Sequence, residues 1–172
     1  MSKAFAIDPN NSKNFEWYTP PEIFEALNVE FDLDPCSPGE GKSFVPARKH
    51  LTEVEDGLAT AWGDDDFVFC NPPYGSKTAV WLEKLAHHPG GGIALVFNRL
   101  DTKWFHKIFP KVSAICFLEG RIRFYRGGIT PDCQSQSSPG AGSILIAFGG
   151  RAVEVLEKSN LGVVMVPFRI SR

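Results

Sequence analysis

The sequence predicts an α/β domain built on a mostly parallel sheet, and three observations lead there. The chain has 172 residues, 43% of them apolar and 14 of them Phe, which fits one core of useful size and not two. Short runs of unbroken apolar character, at residues 93–97, 144–148 and 163–168, read as strands, the first of them covered on both faces. Between such runs lie segments with the apolar spacing of helices, and strands alternating with helices make parallel sheets.

Residues 1–15 are polar and are expected to form a flexible arm, leaving 16–172 as a single domain. Thr19-Pro20-Pro21-Glu22 reads as a capping box: a hydroxyl N-cap, Pro at the first helical position and Glu three residues on. Ile23 and Leu27 then point the short helix inward. Residues 31–34 (Phe-Asp-Leu-Asp) alternate as a strand does and stop at Pro35. The stretch 37–62 is irregular, with a short strand expected near Phe44-Val45. Residues 67–70 form a compact apolar strand ended by Asn71-Pro72-Pro73-Tyr74-Gly75. A helix follows over 77–87, with Val80, Trp81 and Leu85 on one side. Gly90-Gly91-Gly92 breaks it ahead of the strand at 93–97. A second helix is expected over 102–109, then strands at 114–118 and 121–125. Residues 126–142, rich in Gly, Ser, Pro and Gln, form a loop of the length that is usually functional or mobile. A strand at 144–148, a helix over 152–158 and a strand at 163–168 complete the chain.

Composition narrows the function classes. No apolar run nears the ~18 residues of a membrane span, and the N-terminus lacks the apolar stretch of a secretory signal. Cys36, Cys70, Cys116 and Cys133 contain no Cys-x-x-Cys pair, which argues against a zinc knuckle or a disulfide frame. The expected location is therefore the reducing cytoplasm. Net charge is −2, yet residues 53–66 hold six acids and no base, and residues 97–126 hold seven bases against two acids. That polarity permits a nucleic-acid face; a solvated helix face plus a basic strand explains it equally well.

In sheets of this kind reactive groups sit just beyond the carboxyl ends of strands. Two motifs lie there. Asn71 offers a neutral amide oxygen that does not titrate. Pro72 and Pro73 keep the segment extended, with carbonyls outside any helix ladder, and Tyr74 adds a ring able to stack on a heterocycle. An amide oxygen and a backbone carbonyl converging near an aromatic face can grip both hydrogens of a planar exocyclic amine such as adenine N6. Such a grip favours pyramidal nitrogen and aims its lone pair at an electrophile. A sulfonium methyl carries its own activation, so positioning and electrostatics can supply most of the rate. The structural alternative is a Pro-rich turn after a strand. The second motif, Asp34-Pro35, places a carboxylate that could hold an ammonium group or a ribose hydroxyl; the alternative is an Asx-Pro turn. No dinucleotide fingerprint and no P-loop accompany it. Cys36 reads as a small packing residue, and His50, His87, His88 and His106 as surface residues without acid partners or metal spacing.

Taken in order, Glu16-Trp17-Tyr18-Thr19-Pro20-Pro21, Asp32-Leu33-Asp34-Pro35, Asp56-Gly57-Leu58 with Trp62, and Asn71-Pro72-Pro73-Tyr74 resemble the phage-type DNA N-6-adenine methyltransferase (Dam) family. The resemblance continues through residues 98–106 and 120–124 and covers about 17–148. It implies a Rossmann-like class I fold, S-adenosylmethionine as methyl donor and adenine N6 in double-stranded DNA as acceptor. It also implies that Trp17, Thr19, Pro20 and Pro35 flank the cofactor. Asp34 would bind its amino-acid or ribose part, and Asp56 its ribose or adenine. Asn71 would carry the catalytic amide, Pro72 and Pro73 the adjoining backbone, and Tyr74 the stacking ring. Arg99, Lys103, Arg121 and Arg123 are candidates for DNA contacts, with a plain surface role as the alternative. Asp56 could equally be a solvent-facing loop acid. Cytosine N4, an RNA adenine and a protein glutamine present similar planar nitrogens, and a non-catalytic DNA-binding relative is the more distant reading. Only 36 residues separate Asp34 from Asn71, so the N-terminal half of the class I sheet must be abbreviated.

Overall fold

Every strand of the central sheet is short, and most are apolar on both sides, because helices cover both faces. A computed structural model describes residues 17–39, 41–125, 136–137 and 139–167. The arm expected at 1–15 and most of the loop expected at 126–142 lie outside the described residues. The helix α1 (Pro21–Leu27) leads into β1 (Phe31–Asp34) and β2 (Ala47–His50). Next come β3 (Val68–Cys70), α2 (Thr78–Ala86) and β4 (Gly92–Phe97). Helix α3 (Lys103–Ile108) runs into a 3-10 turn over Phe109–Lys111, followed by β5 (Ala114–Leu118). The pair β6 (Phe124–Tyr125) and β7 (Gln136–Ser137) precedes β8 (Ser143–Phe148), α4 (Gly150–Lys158) and β9 (Gly162–Met165).

Seven strands form one sheet in the order β2-β1-β3-β4-β8-β5-β9, and β6 with β7 forms a separate two-stranded ribbon. Strands β2, β1, β3 and β4 pair in parallel. Strand β8 runs antiparallel to both β4 and β5, and β9 antiparallel to β5. Five of the seven therefore point the same way, but only the first half is parallel between neighbours. The domain is mixed α/β.

Alternation through the sheet sends Val68, Ala94, Val96 and Ile146 to one face, where α2 and α3 pack with Trp81, Leu82, Leu85 and Phe105; Leu33 joins them although Phe31, two positions earlier, packs on the other face. Phe31, Phe69, Ile93, Leu95 and Leu145 go to the other, under Phe24 and Leu27 of α1 and Leu156 of α4. This two-sided cover explains why β4 and β8 read as unbroken apolar runs.

Several expectations are corrected. Thr19 does not cap α1: the N-cap position is Pro20, extended and without a side-chain bond, and Pro21 opens the helix. The strand expected near Phe44-Val45 lies at Ala47–His50, beyond Pro46, whose carbonyl accepts from Phe31 N–H at 2.8 Å. Its Arg48 and Lys49 protect an open sheet edge, which hides it from an apolar pattern. Val80 is 52% exposed, because the inward arc of α2 is Trp81, Leu82 and Leu85. Of the strand expected at 121–125 only Phe124 and Tyr125 pair, and they leave the main sheet. His50 and His88 are half-buried rather than on the surface: His50 has an acid partner in Asp34, and His88 Nε2 meets the Asp66 carbonyl at 2.7 Å. The last strand stops at Met165 and lies antiparallel at the edge.

Candidate active site

Because β1, β3, β4 and β5 run in the same direction, their carboxyl ends share one rim of the sheet. Asp34-Pro35 leaves β1 there, Asn71 to Tyr74 leaves β3, Arg99 and Lys103 follow β4, and Arg121 and Arg123 follow β5. A cavity of about 620 Å³ opens at the β1 and β3 ends, within the size range of small-molecule sites. Its wall includes Trp17, Thr19, Asp34, Pro35, Asp56 and all of Asn71 to Tyr74; Pro20 is not part of it. Its charged members are Asp34, Glu53, Asp56 and Lys77, an acidic balance that favours a cationic ligand.

Asn71 is held by the segment before α1. Its Nδ2 donates to the Trp17 carbonyl at 2.8 Å and to Thr19 Oγ1 at 3.2 Å. A carbonyl only accepts, so this contact fixes which way the amide faces. The opposite atom, Oδ1, is buried with no hydrogen-bond partner among the described residues. Unpaired buried acceptors are rare and costly, and this one belongs to a residue of the cavity wall. The Thr19 hydroxyl, expected as a helix cap, instead orients Asn71. The Pro73 carbonyl is engaged by Thr78 Oγ1 at 3.1 Å, whereas no described hydrogen bond uses the Pro72 carbonyl.

Tyr74 stacks on Phe97, with ring centroids 3.7 Å apart and planes 10° from parallel. One face of the ring is thus already covered, by a residue the sequence did not single out. The Tyr74 hydroxyl is buried and unpaired, and burial, followed by the charge on Cys70, pushes its pKa well up. The Cys36 thiol, 3.6 Å from Cys70 Sγ, is also pushed up, by burial first and then by Cys70 and Asp34. Both groups hold their proton more tightly folded than unfolded, so stability is fully present below the unfolded pKa values, about 9 for Cys36 and about 10 for Tyr74. It is expected to fall as pH rises beyond them. In melting curves from pH 8 to 11, Tyr74→Phe should flatten the decline above pH 10 and leave stability at neutral pH undiminished. An unchanged slope would overturn this.

Asp34 is 3% exposed. Its Oδ1 accepts from Cys36 N–H at 3.1 Å, and Oδ2 lies 3.6 Å from Nδ1 of His50, which also meets Ser37 Oγ at 3.0 Å. Asp56 has both roles weighed for it. It is exposed, with φ of 45°, and its Oδ1 accepts from Leu58 and Ala59 N–H at 3.1 and 3.3 Å, yet it also lines the cavity. Trp81, expected only as core, contributes a buried indole N–H with no partner to the same wall. The basic candidates stand outside the wall. Arg99, Lys103, Arg121 and Arg123 are exposed, and Arg121 Nη1 donates to the Pro139 carbonyl at 2.8 Å. Backbone bonds between Tyr18 and Tyr125, both 3.1 Å, bring the Arg123 segment against the one that holds Asn71. Among the described residues no His, Cys, Asp and Glu cluster suits a metal ion, and no helix is long and apolar enough to cross a membrane.

Comparison with known proteins gives one match, to a family model described as DNA N-6-adenine-methyltransferase (Dam), over residues 8–157. No curated protein and no solved structure matches.

Proposed function

Since the chain belongs to the DNA N-6-adenine-methyltransferase (Dam) family, and so transfers methyl groups to adenine N6 in DNA, we propose that the transfer takes place in the cavity at the ends of β1 and β3. The observation that carries this is Asn71 Oδ1, a buried acceptor without a described partner on a residue of the cavity wall. The Pro72 carbonyl is the second acceptor, and together they accept hydrogen bonds from the two N6 hydrogens, one of which leaves to solvent as a proton once the nitrogen carries the methyl group. Fixing those hydrogens out of the ring plane localises the nitrogen lone pair, and the acceptors need no reorganisation as the charge develops. Asn71 cannot be protonated at neutral pH, so the grip is constant. Tyr74, backed by Phe97, is the ring proposed to stack on a base rotated out of the duplex, which offsets the few kcal/mol that flipping costs.

S-adenosylmethionine is the proposed methyl donor; when bound, it supplies a methyl group activated by the sulfonium charge. The cavity's volume, its acidic balance and the unpaired Trp81 N–H fit such a ligand, a cation rich in acceptors. Asp34 holds its amino-acid or ribose part, Asp56 its ribose or adenine, and Trp17, Thr19 and Pro35 close around it. Pro20 acts only by orienting Thr19. The same reading takes the sheet as Rossmann-like class I with an abbreviated N-terminal half, since only β1 and β2 lie beyond β3. Purified protein with labelled S-adenosylmethionine should label adenine-containing duplexes; label on RNA alone would sink the proposal.

Arg99, Lys103, Arg121 and Arg123 are proposed to contact the duplex from the rim. DNA affinity should then fall steeply with salt, and each change to Ala should lower the slope of log affinity on log salt by about one. A slope unchanged in all four variants would place the DNA elsewhere.

A further inference from the structure

Residues 56–60 make a single helical turn: the Ala59 and Thr60 N–H groups both donate to the Asp56 carbonyl, at 2.9 and 2.8 Å. One turn is too short to hold itself together in water. Its start is capped by the Asp56 carboxylate on Leu58 and Ala59 N–H. Its far end presents carbonyls with no continuing helix to satisfy them. Lys84, on α2, satisfies them. Its ammonium donates to the carbonyls of Gly57, Leu58 and Thr60 at 2.9, 3.0 and 2.6 Å, which uses all three of its protons. The same ammonium sits 4.4 Å from the centre of the Trp62 ring, whose Nε1 also donates to the Gly57 carbonyl at 2.9 Å. Lys84 is not itself in the cavity wall, whereas Asp56, Gly57 and Leu58 are.

We propose that Lys84 is a positioning residue for the cofactor: by tying three carbonyls of the 57–60 turn to α2, it fixes Asp56 and Leu58 in the cavity wall. This rests on the assignment of that cavity to S-adenosylmethionine. A point-like ammonium suits the task, because three carbonyls converge on one atom, which a planar guanidinium cannot reproduce. The helix that carries Lys84 also follows directly from the Asn71 to Tyr74 segment. One element therefore links the wall proposed to hold the cofactor to the segment proposed to hold the base. Burial lowers the Lys84 pKa and the Asp56 charge opposes the shift.

The test uses the full chain and S-adenosylhomocysteine as calorimetric probe, with steady-state methylation of a duplex alongside. Lys84→Met should raise the dissociation constant and the KM for S-adenosylmethionine about 10- to 100-fold, as misplacement of a binding wall does. The kcat at saturating cofactor and the KM for DNA should stay within about twofold, because the Asn71 grip is untouched. Trp62→Phe keeps the ring but removes the bond to the Gly57 carbonyl, and should shift the same constants in the same direction by less. A lowered melting temperature with unchanged cofactor constants would overturn the proposal. If Lys84→Met cannot be obtained folded, unchanged constants in Trp62→Phe overturn it. Asp34→Asn and Asp56→Asn separate the two levels. Should they leave cofactor affinity intact, the cavity assignment fails and the clamp with it. Should they weaken binding while Lys84→Met does not, the clamp alone fails.

Discussion

Asn71→Ala is expected to lower kcat for adenine methylation by about 100- to 1,000-fold, the effect of deleting one preorganised polar group that acts on the reacting atoms. Oδ1 has no partner among the described residues, so its removal should cost the fold little and deprive the transition state of the acceptor proposed for it. The Nδ2 side behaves differently. Its bonds to the Trp17 carbonyl and Thr19 Oγ1 order the segment proposed to border the cofactor, each with a net worth of about 1 kcal/mol. Cofactor affinity should therefore fall by at most about 30-fold in Asn71→Ala, the worth of the two bonds together. Asn71→Asp separates the two sides. It keeps an acceptor toward the base but sets a carboxylate against the Trp17 carbonyl, so it should weaken cofactor binding more than Asn71→Ala does. Binding titrations with single-turnover rates measure both quantities. A large loss of affinity with an unchanged single-turnover rate in Asn71→Ala would make Asn71 a wall residue and remove it from the chemistry.

The residues whose identity is local chemistry were legible in the sequence, and those whose role is a meeting of distant segments were not. Asn71 to Tyr74 and Asp34-Pro35 were readable because rigid prolines after apolar runs mark strand ends, and strand ends in this fold class face one rim. The helices expected over 77–87 and 152–158 are found at Thr78–Ala86 and Gly150–Lys158, the first with Trp81 and Leu85 inward as their spacing predicts and Val80 outward. Thr19 was misread because a hydroxyl before prolines satisfies the local rule for a cap, while Asn71, 52 positions away, competes for the same oxygen. Phe97 looked like the end of a buried strand; its stacking on Tyr74 depends on β3 and β4 being neighbours. The strand at Ala47–His50 carries charge on an open edge and has no apolar signature. Lys84 is a lysine on an amphipathic helix, the most ordinary of residues, until the 57–60 turn is laid beside it.

Gly57→Ala should be the most damaging single methyl in the cavity wall. A Cβ at Gly57 would lie 2.1 Å from the Pro35 carbonyl oxygen and 2.9 Å from Cη2 of Trp81. The first of these neighbours is backbone at the end of β1, so no side-chain rotation relieves the overlap. Nor is φ at fault, since Gly57 is absent from the positive-φ positions and Ala could adopt its conformation. The conflict is purely one of space, and the turn must lift by about 1 Å to restore ordinary contact distances. Lifting it carries Asp56 and Leu58 away from Asp34 and stretches the bonds that Lys84 and Trp62 make to the Gly57 carbonyl. Overpacking of this kind costs about 1–3 kcal/mol of stability, and cofactor affinity should fall by about 100-fold. Gly150→Ala is the control: its Cβ would meet nothing within 4 Å, and at the start of α4 it should leave both melting temperature and affinity unharmed. Calorimetric titration of the two variants decides the matter. If Gly57→Ala binds cofactor as the parent does, the 56–60 turn can move without consequence and cannot be the wall on which Asp56 meets a ribose.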